Sequence, residues 1–159
     1  MADINKLELA KATYSNLCQT LDAQDWKYKK NEEKLMIECG AQGDDLPIEL
    51  TIKVDPDRML VMTFSHLPFV VQEDKRLEVA IAVCAVNNAL ADGCFDYNVT
   101  NGHMFFRLTN SFMESMLGAE AFKYMIFGSC QIIDEYNDKL LMLAKGMISI
   151  EQFLSSFTH

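Results

Sequence analysis

The segment "VNNALADGCFDYNVTNGHMFFR", from Val86 to Arg107, decides how the chain folds. It begins as the end of a helical pattern that runs from about Glu73 to Ala91. Two segments in which every second residue is apolar come next: Phe95, Tyr97 and Val99, then Met104, Phe106 and Leu108. The pair Asn101-Gly102 lies between them and favours a type I′ turn, in which both central residues have positive φ. We therefore predict a helix followed by a β-hairpin.

The residues before this segment predict a first helix and an antiparallel meander. Residues 3–23 carry apolar side chains at helical spacing, with Asp3 as a candidate N-cap. Three or four short strands follow, with the sequences "WKYK", "KLMIECG", "LPIELTIKVD" and "MLVMTFS". In the third, from Leu46 to Asp55, apolar and polar residues alternate strictly. This alternation is typical of an antiparallel strand with one face exposed to water.

The residues after this segment predict helices. A capping box at Ser111–Glu114 indicates the start of a long amphipathic helix that ends near Lys145, with Gly146 as its C′ residue. A second capping box at Ser149–Gln152 indicates a short last helix through Phe157. The order helix–strands–helix–hairpin–helices lacks regular βαβ alternation. It predicts an α+β fold with a mostly antiparallel sheet and helices on one face.

Length and composition predict a single domain over residues 1–159 and constrain its partners. Asp and Glu total 23, Lys and Arg total 14, and the net charge is −9. This charge disfavours binding to nucleic acid or to an anionic membrane surface. No apolar run approaches the about 20 residues that cross a bilayer, and no secretory signal is expected. The five cysteines are widely spaced, which favours reduced thiols and a cytoplasmic location.

Two segments resemble the YbjN family of bacterial proteins, described as sensory transduction regulators. In the first, the matching residues are Leu67, Pro68, Val71, Glu73, Val86, Asn87, Gly93, Phe95, Asp96, Gly102, Phe106 and Arg107. The second, "DEYNDKLLMLAKGMISIEQF", includes Gly146 and Glu151. The resemblance implies a fold like that of the type III secretion chaperones, which are small acidic dimers that hold extended segments of another protein. It implies chaperone-like activity as an expectation only, because fold likeness does not transfer function.

Residue types that could support catalysis or metal binding occur in the decisive segment. Cys94, Asp96 and His103 could serve as nucleophile, orienting carboxylate and base. However, Cys94 enters a strand after a glycine, and no helix N-terminus is expected there to lower the pKa of its thiol. The remaining histidines, His66 and His159, have no metal-ligand spacing. We therefore predict no catalytic residues, no metal site and no cofactor.

The asparagines of the second helix need a separate explanation. Asn87 and Asn88 fall within its apolar arc, although asparagine is unfavourable inside helices. We expect one or both to hydrogen-bond to the backbone where the helix joins the hairpin, with ligand recognition as the alternative. Together with Gly93, Asn101 and Gly102 they form a predicted structural joint.

The apolar arc of this helix is wider than one packing face requires. Its two halves are Leu77, Ala80, Ile81 and Cys84 on one side, and Val79, Val83, Val86 and Leu90 on the other. One side is expected to cover the sheet. The side with the three valines and the terminal leucine is the candidate contact to a second subunit, which would make the protein a homodimer. The alternative is that the first or last helix covers it.

These observations favour a non-enzymatic protein-binding, adaptor or chaperone-like regulatory domain. It would hold an unidentified protein segment at its sheet edge or in an apolar groove. One alternative is a small-molecule sensor or small enzyme with a pocket between helices and sheet, lined by Cys94, Asp96 or His103. Another is a structural subunit of a larger assembly.

Overall fold

The computed structural model of the protein describes residues 2–113 and 115–157, with side chains from residue 5 onward. Its elements, in chain order, are α1 (Ala2–Ala23), β1 (Tyr28–Asn31), β2 (Met36–Gln42), β3 (Pro47–Asp55), β4 (Leu60–His66), α2 (Arg76–Ala89), β5 (Cys94–Tyr97), β6 (Met104–Ser111), α3 (Ala119–Ala144) and α4 (Ile150–Ser155). A single 3₁₀ turn, Glu73–Lys75, precedes α2. This order confirms the predicted α+β fold.

All strand pairs of the described chain are antiparallel, and together the strands form one sheet in the order β1-β2-β3-β4-β6-β5. Alternating residues of β3 are buried, from Ile48 to Val54, while Glu49 and Lys53 are exposed. Because α1, α2 and α3 contact the strands on this buried side, one face of the sheet faces the core. The opposite face carries no helix of the described chain.

The helices pack on that inner face through narrow apolar stripes. In α1, Tyr14, Leu17 and Leu21 are buried, at the helical spacing that the sequence predicts. In α3 the stripe extends from Phe122 to Leu143. The long α3 contacts β3, β4 and β6 and so covers the centre of the sheet. None of the described helices is long and apolar enough to cross a membrane.

The start of α3 differs from the prediction. The helix begins at Ala119 with Gly118 as its N-cap, whereas Ser111 ends β6 and pairs with Leu60. Phe112 is fully buried, and its N–H donates to the carbonyl of a β3–β4 turn residue at 3.0 Å. Burial of this phenylalanine holds the chain extended and overrides the local capping pattern. Glu114, the other half of the predicted box, lies outside the described residues.

The remaining helix ends agree better with the sequence. The side chains of Ser149 and Gln152 form a reciprocal capping box at the start of α4. That helix ends at Ser155, two residues before the predicted end. Gly146 has φ +69°, as a C′ residue requires, and its N–H donates to the carbonyl of Leu143 at 2.9 Å. The side chain of Asp3, the predicted N-cap of α1, lies outside the description.

The turn between β5 and β6 is longer than a two-residue type I′ turn. The N–H of Asn98 donates to the carbonyl of His103 at 2.9 Å, and Asn98 Oδ1 accepts from the N–H groups of Thr100 and Asn101. Of the predicted pair only Gly102 has positive φ, +78°. The asparagine side chain that begins the loop organises the turn, so that Asn101 adopts an ordinary φ.

Candidate functional site on the uncovered face of the sheet

The uncovered face of the sheet carries aromatic side chains at its centre. We define the outer aromatic patch as Met62 and Phe64 of β4 and Phe105 of β6. Met62 is 8% exposed and both phenylalanines are half-buried, although no helix of the described chain lies over them. Aromatic residues and methionine are enriched at protein interfaces, so this cluster is a candidate surface for recognition.

Strand register brings polar groups to the patch. Phe64 lies opposite Arg107 on β6, and Phe105 lies opposite both His66 of β4 and Asp96 of β5. The ring of Phe105 is 6.1 Å from the ring of Phe64 and 5.4 Å from that of His66, between centroids. Directly opposed side chains are the strongest contacts across a sheet. The patch is therefore an aromatic centre with charged groups along one side.

The charged groups belong to a cluster of Cys94, Asp96 and Arg107. Arg107 Nε donates to Asp96 Oδ2 at 2.7 Å, and its terminal nitrogen donates to Asp96 Oδ1 at 3.3 Å and approaches Cys94 Sγ at 3.5 Å. The Cys94 thiol lies 3.8 Å from Asp96 Oδ1. Cys94 and Asp96 are two apart on β5, so they project from the same face. The guanidinium therefore bridges the thiol and the carboxylate.

The cluster does not activate the thiol. Burial, followed by the negative charge of Asp96, raises the pKa of Cys94, and Arg107 only partly offsets both effects. The hydrogen bond to Asp96 raises the pKa of Arg107, so the ion pair stays charged. A protonated thiol is a poor nucleophile. His103, the candidate base, is exposed in the β5–β6 loop, so the hypothetical triad is replaced by a Cys–Asp–Arg cluster.

Metal binding finds no support in the part of the chain that the structure describes. Its histidine, cysteine and carboxylate side chains form no group of three that could hold a metal ion. His66 lies against the Phe105 ring instead. His159 lies outside the described residues.

The predicted joint contains a specific backbone contact. Asn87 of α2 donates from Nδ2 to the carbonyl of Phe95 at 3.0 Å, and its Oδ1 accepts from the N–H of Phe95 at 2.8 Å. The amide thus pairs with the edge strand β5 as a neighbouring strand would. Asn88, in contrast, is exposed at the surface of α2. One of the two asparagines therefore closes the sheet edge, and the other does not.

Glycines shape the rest of the joint. A side chain at Gly93, with φ +72°, would collide with the ring of Phe106. A side chain at Gly102 would collide with the carbonyl oxygen of Val71. The N–H of Val71 in turn donates to the carbonyl oxygen of Gly102 at 3.0 Å. Asn101 is exposed, and its side chain accepts from the N–H of His103 at 3.0 Å.

Positively charged side chains lie along the opposite edge of the sheet, at β1. The four-residue β1 carries the exposed Lys29 and Lys30, and Lys27 precedes it. Lysines on a short edge strand disfavour pairing with another strand. Because the Asn87 side chain already bonds the backbone of Phe95 in β5, neither edge of the sheet is suited to the addition of another strand. The open face is therefore more accessible to a partner than either edge.

The exposed surface of α2 is the reverse of the predicted one. Val79 and Val86 are fully buried, Val83 is 6% exposed, and Leu90 packs partly buried against the core. The helix lies against α3, α4 and β5, which enclose this valine half within one chain. A subunit contact there is incompatible with that burial. The exposed half instead carries Leu77, Ile81 and Cys84, which we call the α2 stripe; Leu77 is 75% exposed and Ile81 52%.

These features define a class of fold: an α+β domain with a six-stranded antiparallel sheet and helices on one face. The crystal structure of YbjN from E. coli, a proposed transcription regulator, matches this chain with a TM-score of 0.59 over 84% of this chain and 92% of that one. The two sequences are 14% identical. The chain has a YbjN-like fold. No family model matches the sequence, and no curated protein matches it significantly.

Sequence reasoning missed the outer aromatic patch. The signal was the adjacent pair Phe105-Phe106 in an alternating strand, because neighbouring residues of a strand point to opposite faces. If one phenylalanine enters the core, the other must project outward. Phe106 is fully buried and Phe105 is the residue on the open face.

Proposed function

We propose that the protein is a non-enzymatic, protein-binding regulatory domain that holds a segment of a partner protein against the outer aromatic patch. The observation that carries this proposal is the aromatic cluster at the centre of a sheet face that no described helix covers. Large aromatic and arginine side chains supply much of the binding energy at protein interfaces. The ion pair of Asp96 and Arg107 beside the patch would orient a polar group of the partner.

The closed sheet edges support binding on the face rather than strand addition. Asn87 already satisfies the outward N–H and C=O groups of Phe95, and lysines occupy β1. The net charge of −9 favours a partner segment with basic residues. The regulatory part of the proposal rests on the role suggested for YbjN and is compatible with an adaptor. Five free cysteines support a reducing compartment such as the cytoplasm.

The test compares partner capture by three baits in lysate of the native host. The first is the natural protein, the second carries Phe64→Ser and Phe105→Ser, and the third carries Tyr124→Ser and Phe127→Ser. The last pair of aromatic residues is exposed on α3 and serves as a matched control. Loss of the two aromatic side chains should weaken binding about thirtyfold or more, since even one central aromatic contact contributes about 2 kcal/mol. The proposal is wrong if the patch variant and the control capture the same proteins equally.

We further propose a homodimer that forms through the α2 stripe. Leu77, Ile81 and Cys84 recur at intervals of one helical turn, and each is exposed. Two copies of such a stripe related by a two-fold axis could bury each other. Light scattering should give twice the chain mass of 18.1 kDa.

Substitution of the stripe tests this contact. The variant with Leu77→Asp and Ile81→Asp should have the monomer mass. A control with Met113→Asp and Met116→Asp, two exposed apolar residues outside α2, should remain dimeric. A monomer mass for the natural protein would exclude the dimer, and dissociation of both variants would exclude α2 as its specific site.

A further inference from the structure

A separate cavity of about 830 Å³, which we call the α1 cavity, opens between α1, the β1–β2 turn and the end of β3. Its volume lies within the range of about 300–1,000 Å³ that is usual for small-molecule sites. It contains none of Cys94, Asp96 and His103, the groups that sequence analysis considered for a pocket. The cavity is thus independent of the outer aromatic patch and of the function proposed for it.

The floor of the cavity is apolar. Leu35 and Val54 are buried beneath it, and Leu7 of α1 lines it while remaining 43% exposed. Tyr14 also lines it and donates its hydroxyl to the carbonyl of Met36 at 3.2 Å. Burial raises the pKa of Tyr14 to about 12, so this group stays neutral. An apolar floor that is reachable from solvent favours a ligand with a hydrocarbon part.

The cavity is bordered by an unusual concentration of positive charge. Four of the 14 basic residues line it: Lys11, Lys30, Lys34 and Lys53. They come from α1, β1, the β1–β2 turn and β3. Two glutamates also line it, which leaves a local excess of two positive charges (four lysines minus two glutamates) in a protein of net charge −9.

Three of these lysines have no acidic partner within the described residues. Lys30 pairs with Glu32 at 3.3 Å. Lys11, Lys34 and Lys53 have no carboxylate oxygen within 4.0 Å in the described part of the chain. Lysines place their alkyl stems along apolar surface and keep the ammonium groups at the water boundary. Lys53 lies between the inward-facing Ile52 and Val54 on β3, so its side chain projects from the other face of the sheet, whereas Lys11 and Lys34 line the cavity without a carboxylate partner. Two unpaired ammonium groups beside an apolar floor are complementary to an anionic head joined to an apolar tail.

We propose that this cavity binds an anionic amphiphile of the long-chain carboxylate class. The carboxylate lies beside Lys11 and Lys34, and the hydrocarbon tail covers Leu7, Leu35 and Val54. Both the ionic contacts to the head and the burial of the tail contribute to binding, so a ligand that lacks either part should bind more weakly.

Isothermal titration of the whole protein with monomeric dodecanoate tests the proposal. Dodecanol lacks the charge, dodecyltrimethylammonium reverses it, and acetate lacks the tail. We expect dodecanoate to bind and these three ligands to bind at least about tenfold more weakly, in line with the energies of exposed ion pairs and buried methylenes. Equal binding of dodecanol, or no binding of dodecanoate, would overturn the proposal.

Variants locate the site. Lys11→Glu with Lys34→Glu should weaken dodecanoate binding about tenfold or more. Lys139→Glu with Lys145→Glu, which changes the net charge equally on α3 and its C-terminal end, should leave binding within about twofold. Leu7→Asp should also weaken it, through the tail. Thermal unfolding checks that each variant is folded. Equal loss in the charge control, or lysine-dependent binding only to phosphatidylglycerol vesicles, would contradict a site for the free carboxylate.

Discussion

The replacement Asn87→Ala should destabilise the protein and expose its β5 edge. The Asn87 amide makes two hydrogen bonds to Phe95, at 2.8 and 3.0 Å, and both are partly buried. Alanine removes both and leaves the N–H and C=O of an edge residue without these partners. Asn88→Ala is a matched control on the same helix, because Asn88 is exposed and lies one position further along.

The magnitude follows from the bonds. Each hydrogen bond contributes about 1 kcal/mol net, and more where water cannot replace the lost partner. Alanine is a better helix former than asparagine and returns about 0.5 kcal/mol. Asn87→Ala should therefore lower the free energy of unfolding by about 2 kcal/mol. For a chain of this size Tm should fall by about 4–8 °C. Asn88→Ala should change stability by less than about 0.5 kcal/mol, in the stabilising direction.

Urea unfolding measures both variants. Trp26, the single tryptophan, packs edge-on against Phe127 with 5.3 Å between ring centroids, so its fluorescence reports unfolding. Circular dichroism should give the same midpoint. If Asn87→Ala is no less stable than Asn88→Ala, the edge-closing role of Asn87 is refuted. Concentration-dependent aggregation of Asn87→Ala alone would further support the role, because an uncapped edge strand pairs with other chains.

Three further outcomes follow from the structure. Gly102→Ala should destabilise the fold by about 2 kcal/mol or more, because φ at this residue is positive and the added methyl group would meet the backbone of Val71. Gly128→Ala inside α3 should stabilise the fold by about 1 kcal/mol. Thermal unfolding compares the two variants. Burial raises the pKa of Cys39 and of Cys130 to about 11. The stability that these two neutral thiols contribute is therefore complete below the ordinary thiol pKa of 9.0 and is lost as pH rises towards 11. Urea midpoints measured at successive pH values should fall over this range, and midpoints that do not change with pH would contradict the expectation. Cys84 is the one exposed cysteine among five half-buried or exposed thiols and should be alkylated first by iodoacetamide at pH 8, with peptide mass spectrometry as the readout. Faster labelling of Cys39 or Cys130 would contradict their burial.

Sequence predicts the elements whose burial is periodic and fails where tertiary contacts decide. Alternation from Ile48 to Val54 predicts β3 because each inward side chain is buried in turn. The capping pattern at Ser111 is a local signal, and burial of Phe112 overrides it. Such competition between local preference and core packing cannot be read from spacing alone.

The candidate site shows the same division. The width of the apolar arc on α2 indicates two apolar surfaces, but it does not say which neighbour covers which one. α3, α4 and β5 cover the half with Val79, and Leu77 is left exposed. The lysines around the α1 cavity come from four separate segments of the chain, so only the fold brings them together.

Site-specific photocrosslinking in the native host tests the central claim, partner binding at the outer aromatic patch, most directly. A benzophenone side chain would replace Phe105 in one strain and Tyr124, an exposed aromatic residue of α3, in another. We expect position 105 to form a discrete covalent adduct with a partner protein and position 124 to form none. Adducts at position 124 without any at position 105 would contradict it and would place the partner on the helical side.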